Sequence, residues 1–148
     1  MNRIIILLAV FLFGYGACTA QSAILQNEID LIKKEAVNQG FTLLDYGGGE
    51  TNYDWVLTFD PTTYYSGYIY QVVAYLEGCS YCDVGMYFQK SSTGSVQQIN
   101  PKIERAGGVV RAVYSVNQTI TAYGNLSVYA KSREKVYTYS LLFRKPVY

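Results

Sequence analysis

Cys79-Ser80-Tyr81-Cys82 is the first place where this chain's residue types and spacing could carry chemistry. The CxxC spacing serves dithiol redox centres, half of a zinc site, or a short disulfide. A redox pair works best at a helix N-terminus, where the dipole favours the thiolate. Here the pair falls in a turn between two predicted strands, with no second CxxC to complete four metal ligands. The expectation is a disulfide, Cys79 to Cys82, that pins the turn. The absence of histidine, 0 in 148 residues, rules out Ser-His-Asp and Cys-His nucleophile schemes and histidine-ligated zinc within the chain. Acid–base work would fall to carboxylates, lysine or tyrosine.

Asp45, Glu50, Asp54 and Asp60 surround the run Gly47-Gly48-Gly49. They are weak candidate calcium ligands, because calcium accepts carboxylates and carbonyls in loose geometry, but they form no EF-hand pattern. A paired-carboxylate glycan hydrolase is the corresponding enzyme reading. No cofactor is expected.

Tyrosine, with 16 copies, is the main surface clue. Tyr64, Tyr65 and Tyr68 crowd one segment, and Tyr123 and Tyr129 fall on the polar side of a predicted strand. A tyrosine offers a flat apolar ring and a hydroxyl, which suits stacking on a sugar or contact with a protein. These five form the candidate binding surface. Tyrosine also favours half-buried sites within sheets, which is its structural use.

The elements that must position these residues follow from periodicity. Arg3, the apolar run Ile4–Phe13 and the small residues Gly14, Gly16, Ala17 and Ala20 have the layout of a signal peptide, 1–20. Cleavage after Ala20 would discard Cys18 and leave an even cysteine pair in an oxidising compartment. Cleavage before Cys18, with lipidation, is the alternative, and the only route by which a membrane partner is expected. Residues 21–148 then form a single domain of ordinary size. Its acidic and basic side chains balance, so no nucleic-acid partner is expected.

A helix is predicted over about 22–39, with Leu25, Ile29, Ile32 and Ala36 on one stripe and Gly40 at its end. From about residue 41 the pattern becomes strands, with 41–46 and 53–59 joined by a glycine turn. Further strands are expected at 68–76, 83–89, 95–99, 109–116, 119–130 and 136–143. Alternation on the later strands separates Ile120, Ala122, Gly124, Leu126, Val128 and Ala130 from Tyr123, Asn125, Ser127 and Tyr129. It likewise separates Tyr137, Tyr139, Leu141 and Phe143 from Thr138, Ser140 and Arg144, one set for the core and one for water. The fold class is mainly β, an antiparallel sandwich with one N-terminal amphipathic helix.

Tyr70, Val72 and Ala74, followed by Asp83, Val84, Met86 and Tyr87, resemble the central hairpin of bacterial pre-peptidase C-terminal domains. Tyr137-Thr138-Tyr139-Ser140-Leu141 is similar to that family's final strand. The resemblance implies a jelly-roll-like sandwich that accompanies secreted enzymes as a binding or processing module. The function expected is therefore an exported, periplasmic or extracellular, non-catalytic module for a polysaccharide or protein partner. A carboxylate-based hydrolase and a structural assembly subunit are the alternatives.

Overall fold

The computed structural model describes residues 26–52, 54–79 and 81–148, and the expected signal peptide, Cys18 and Leu25 lie outside them. The chain divides into two compact units, 1–35 and 36–148. The boundary falls within a helix, α1, residues 26–38. Ile29, Ile32 and Ala36 are buried along its predicted stripe. Gly40, at φ 82°, ends it. The Gly40 N–H returns to the Val37 carbonyl and the Phe41 N–H to the Ala36 carbonyl, which satisfies the last turn.

Ten strands follow among the described residues: β1 Thr42–Asn52, β2 Trp55–Thr58, β3 Thr62–Tyr64, β4 Tyr68–Glu77, β5 Asp83–Lys90, β6 Val96–Ile99, β7 Lys102–Ala106, β8 Val109–Gln118, β9 Ala122–Lys131 and β10 Lys135–Pro146. They form two antiparallel five-stranded sheets, ordered β1-β10-β4-β8-β7 and β2-β9-β5-β6, with β3 also on β9. Setting aside β3 and β7, which add as further partners to β9 and β8, the pairing is nested: β1 with β10, β2 with β9, β4 with β8, β5 with β6. A hairpin-like ribbon wound into two sheets in this way is a jelly roll.

The intersheet core takes Tyr70, Val72, Ala74 and Leu76 from β4, Val110 and Ala112 from β8, and Val84, Met86, Leu126, Val128 and Ala130 from the facing sheet. Complete burial of each larger aliphatic side chain contributes about 1.5–3 kcal/mol. Alternation therefore sets the register, since a one-residue slip would turn this whole set to water.

Four sequence expectations change here. The glycine run does not make a turn: β1 continues through it, and Gly48 lies opposite Tyr139 on β10. A Cβ at Gly48 would meet the Thr138 carbonyl oxygen at 2.1 Å, and one at Gly47 would meet Leu57 Cδ1 at 2.9 Å. The glycines serve close approach within a strand. Second, β10 is buried on both faces. Leu142 lies opposite Val72, and Ser140 opposite Ala74, so the set containing Thr138 and Ser140 faces the intersheet core. Leu141 and Phe143 are buried on the other face, where the Phe41 ring meets that of Phe143 edge-on.

Third, Ile120 is 75% exposed, because β9 begins only at Ala122 and Ile120 belongs to the connection before it. Fourth, β4 and β5 are not a hairpin. They belong to different sheets, and the turn between them is a corner where the chain crosses the sandwich.

Candidate functional site

The Cys79–Cys82 disulfide forms and sits at that corner. Gly78 and Cys79 both donate their N–H groups to the Gly108 carbonyl, and Arg105 donates to the Cys82 carbonyl at 2.8 Å. Both cysteines are buried. The pair therefore fastens the crossing to the β7–β8 turn, and it suits an oxidising compartment. No helix among the described residues is long and apolar enough to cross a membrane.

The four carboxylates do not assemble into a cation site. Asp45 accepts from the Asp60 N–H at 3.0 Å and from the Tyr46 N–H at 2.7 Å. Glu50 is paired with Lys135. The hydrogen bonds from Lys135 and then Tyr137 hold its carboxyl below the usual carboxylate range. Asp54 borders the surface depression beside the disulfide, with Tyr81 and Arg133. Among the described residues no group of three or more Cys, Asp or Glu comes together as a metal site. The spacing in sequence suggested a shared loop; the continuous β1 strand removes it.

The tyrosines are also redistributed. Tyr64 is 4% exposed and so is not part of a surface. It lies opposite the half-buried Ala122, on the inward side of β3, and its ring packs against Tyr70 and Phe88 at 4.8 and 5.3 Å between centroids. Tyr68 is half-buried against the core, with the Arg144 guanidinium 5.2 Å over its ring. Tyr65 is exposed, and its N–H donates to the Tyr70 hydroxyl at 2.8 Å. Tyr123 and Tyr129 lie on the opposite, outward side of β9.

That outward face carries an organised aromatic surface. Val56 and Gly85 flank Tyr129 on the neighbouring strands, and Tyr87 lies between Ser127 and Gln98. Gly85 has no side chain, and the Tyr129 ring occupies the space above it: a Cβ there would meet the ring at 2.3 Å. The ring therefore crosses β5, and its hydroxyl accepts from Gln98 Nε2 on β6 at 3.1 Å. Tyr87 packs beside it, 6.3 Å between centroids and tilted by 35°. Thr58 and the buried Ser127 share a hydrogen bond at 2.9 Å beneath this level. Gln89 and Asn125 continue the face toward the exposed Tyr123. Uncharged amides and hydroxyls surround the rings, and Asp83 and Lys131 bring charge at one end, where they face each other.

Gln98 and Gly85 were not singled out in the sequence, and Tyr87 entered only through the hairpin resemblance, not as a site residue. Alternation along β5 contained the signal, since it puts Gly85 and Tyr87 on one face. What it lacked was the pairing of β5 with β9, which brings Tyr129 over the glycine.

No family model matches the chain, and no curated protein matches it. A crystal structure of Bacillus licheniformis lipase BlEst2 in its propeptide form is similar at a TM-score of 0.49 and 14% identity, over 68% of this chain and 21% of that one. This chain thus spans about a fifth of that structure's length.

Proposed function

We propose that the protein is an exported, non-catalytic module that holds a polysaccharide on the outward face of the β2-β9-β5-β6 sheet. The observation that carries this reading is the Tyr129 ring seated over Gly85 and beside Tyr87. A sugar ring stacks through its C–H face on a flat aromatic surface, and its hydroxyls need neutral donors and acceptors nearby. Gln89, Gln98 and Asn125 supply them. Tyr123 and Tyr129 are six residues apart on one strand face, about 20 Å at the usual rise. That distance suits two contacts along an extended chain. The disulfide supports residence in an oxidising compartment.

The test is retention of the purified protein on a panel of insoluble and soluble polysaccharides. Tyr129→Ala and Tyr87→Ala should each weaken retention by about fivefold to a hundredfold, the loss expected of a stacked ring worth about 1–3 kcal/mol. Retention unaffected by either substitution would sink the platform, and so would the absence of binding to every polysaccharide tried.

A further inference from the structure

A second site lies on the other side of the same sheet. β7 pairs only with Val109–Val113 of β8, so the remainder of β8 has a partner on one side alone. β6 is short as well. Between these two edges the sandwich encloses a cavity of about 300 Å³. This is the lower end of the range for small-molecule sites.

Its chemistry is graded from floor to rim. Tyr64, Tyr70, Val72, Ile99 and Leu126 are buried and form the floor. The half-buried Phe88, Tyr114 and Val116 make the walls. Lys90, Gln97, Ile120 and Thr121 are exposed and stand at the rim. Among the described lining residues Lys90 alone is charged.

Two features of this cavity are not explained by packing of the sandwich. The Tyr64 hydroxyl is buried and has no hydrogen-bond partner, a destabilising state for a donor. The neighbouring Tyr70 hydroxyl already accepts from Tyr65. Ile120, a large aliphatic side chain, stands exposed on the rim, where the Gln118 side chain holds its carbonyl.

We propose that this cavity binds a small aryl-alkanoic acid. Its ring lies among Tyr70, Phe88 and Tyr114, its carboxylate lies at Lys90, and an oxygen on the buried end of the ring accepts from the Tyr64 hydroxyl. The aromatic walls favour an aryl body, the lone rim cation selects an anion, and the unpartnered donor calls for a second oxygen. This site is independent of the polysaccharide face, and either can fail without the other.

The experiment is titration calorimetry with three probes: 3-(4-hydroxyphenyl)propanoate, 3-phenylpropanoate and 3-(4-hydroxyphenyl)propanamide. The hydroxylated acid should bind about tenfold more tightly than the phenyl acid, the value of one added buried hydrogen bond. Tyr64→Phe should erase that preference. Lys90→Gln, at an exposed position, should weaken both acids by up to about fivefold and leave the amide unchanged. Thermal melts of both variants confirm that they fold. The proposal is overturned if no probe binds saturably at millimolar concentration. It is equally overturned if Tyr64→Phe keeps the preference, or if Lys90→Gln affects acid and amide alike.

Discussion

Tyr129 lies across Gly85, and the glycine is what makes room for it: a Cβ would come within 2.3 Å of the ring carbon Cζ and of the hydroxyl oxygen. The sheet thus gives up a side chain on β5 so that a ring from β9 can reach Gln98 on β6. Gly85→Ala should lift the ring and break that hydrogen bond. A stability loss of about 1–3 kcal/mol is expected, as for other overpacked sites. Polysaccharide retention should fall with it. Urea unfolding read alongside near-ultraviolet dichroism of the tyrosines would check both parts; a variant with wild-type stability and spectrum would contradict the close packing.

The β-rich class, the helix end at Gly40 and most strand positions were legible because each has a local cause. Period-two alternation marks strands, and Gly40 must take a positive φ. The errors have a common origin in partners distant in sequence. Gly47 and Gly48 read as a turn because nothing local reveals Leu57 and Thr138 pressing on them. Thr138 and Ser140 read as the wet face because alternation separates two sets without saying which one meets the second sheet. β7 was missed, since all of its residues are exposed and lack alternation; it is held on β8 by its ladder, with Glu104 between Lys102 and Arg111. The platform combined both cases. Tyr129 was visible as an outward tyrosine, but its seat on Gly85 depends on strand order.

Ser140 offers a direct test of the reversed face of β10. Its hydroxyl is fully buried between the sheets and has no hydrogen-bond partner. Replacing it with alanine removes an unsatisfied polar group and leaves nearly the same volume. Ser140→Ala should therefore stabilise the protein by about 1 kcal/mol or more. A raised urea midpoint with an unchanged slope is the expected readout. If Ser140 faced water instead, the substitution would leave the midpoint where it is.

The disulfide should contribute stability without deciding the fold. Cys79 and Cys82 are separated by 3 positions, so the closed loop is short. Loop-closure entropy for a ring of that size gives about 2 kcal/mol. Reduction under native conditions, or the double substitution Cys79→Ala with Cys82→Ala, should lower stability by about that much. The strands should persist in far-ultraviolet dichroism, because the core of Val72, Leu76, Met86 and Val128 lies apart from the corner. Unfolding on reduction would show that the crossing from β4 to β5 depends on the bond.

The buried Tyr64 predicts the alkaline limit of the fold. Burial is the main cause that pushes its phenol well above the ordinary tyrosine value, and the nearby Tyr70 and Asp45 charges add to it. A free tyrosine in the unfolded chain ionises near pH 10. Above that pH the native state retains a proton that the unfolded state has lost, so alkali favours unfolding. The stabilising contribution is complete below about pH 10 and disappears as pH rises through the elevated native value. Over that interval Tyr64 alone should tilt stability downward by about 1.4 kcal/mol per pH unit. Tyr64→Phe removes the titrating group, and with it the unpaired hydroxyl. The variant should be more stable than the parent at neutral pH, and its advantage should widen as pH rises beyond 10. Urea unfolding at a series of pH values up to about 11.5 would measure both slopes. Parallel lines for parent and variant would mean that Tyr64 ionises as readily folded as unfolded, which its packing against Tyr70 and Phe88 does not allow.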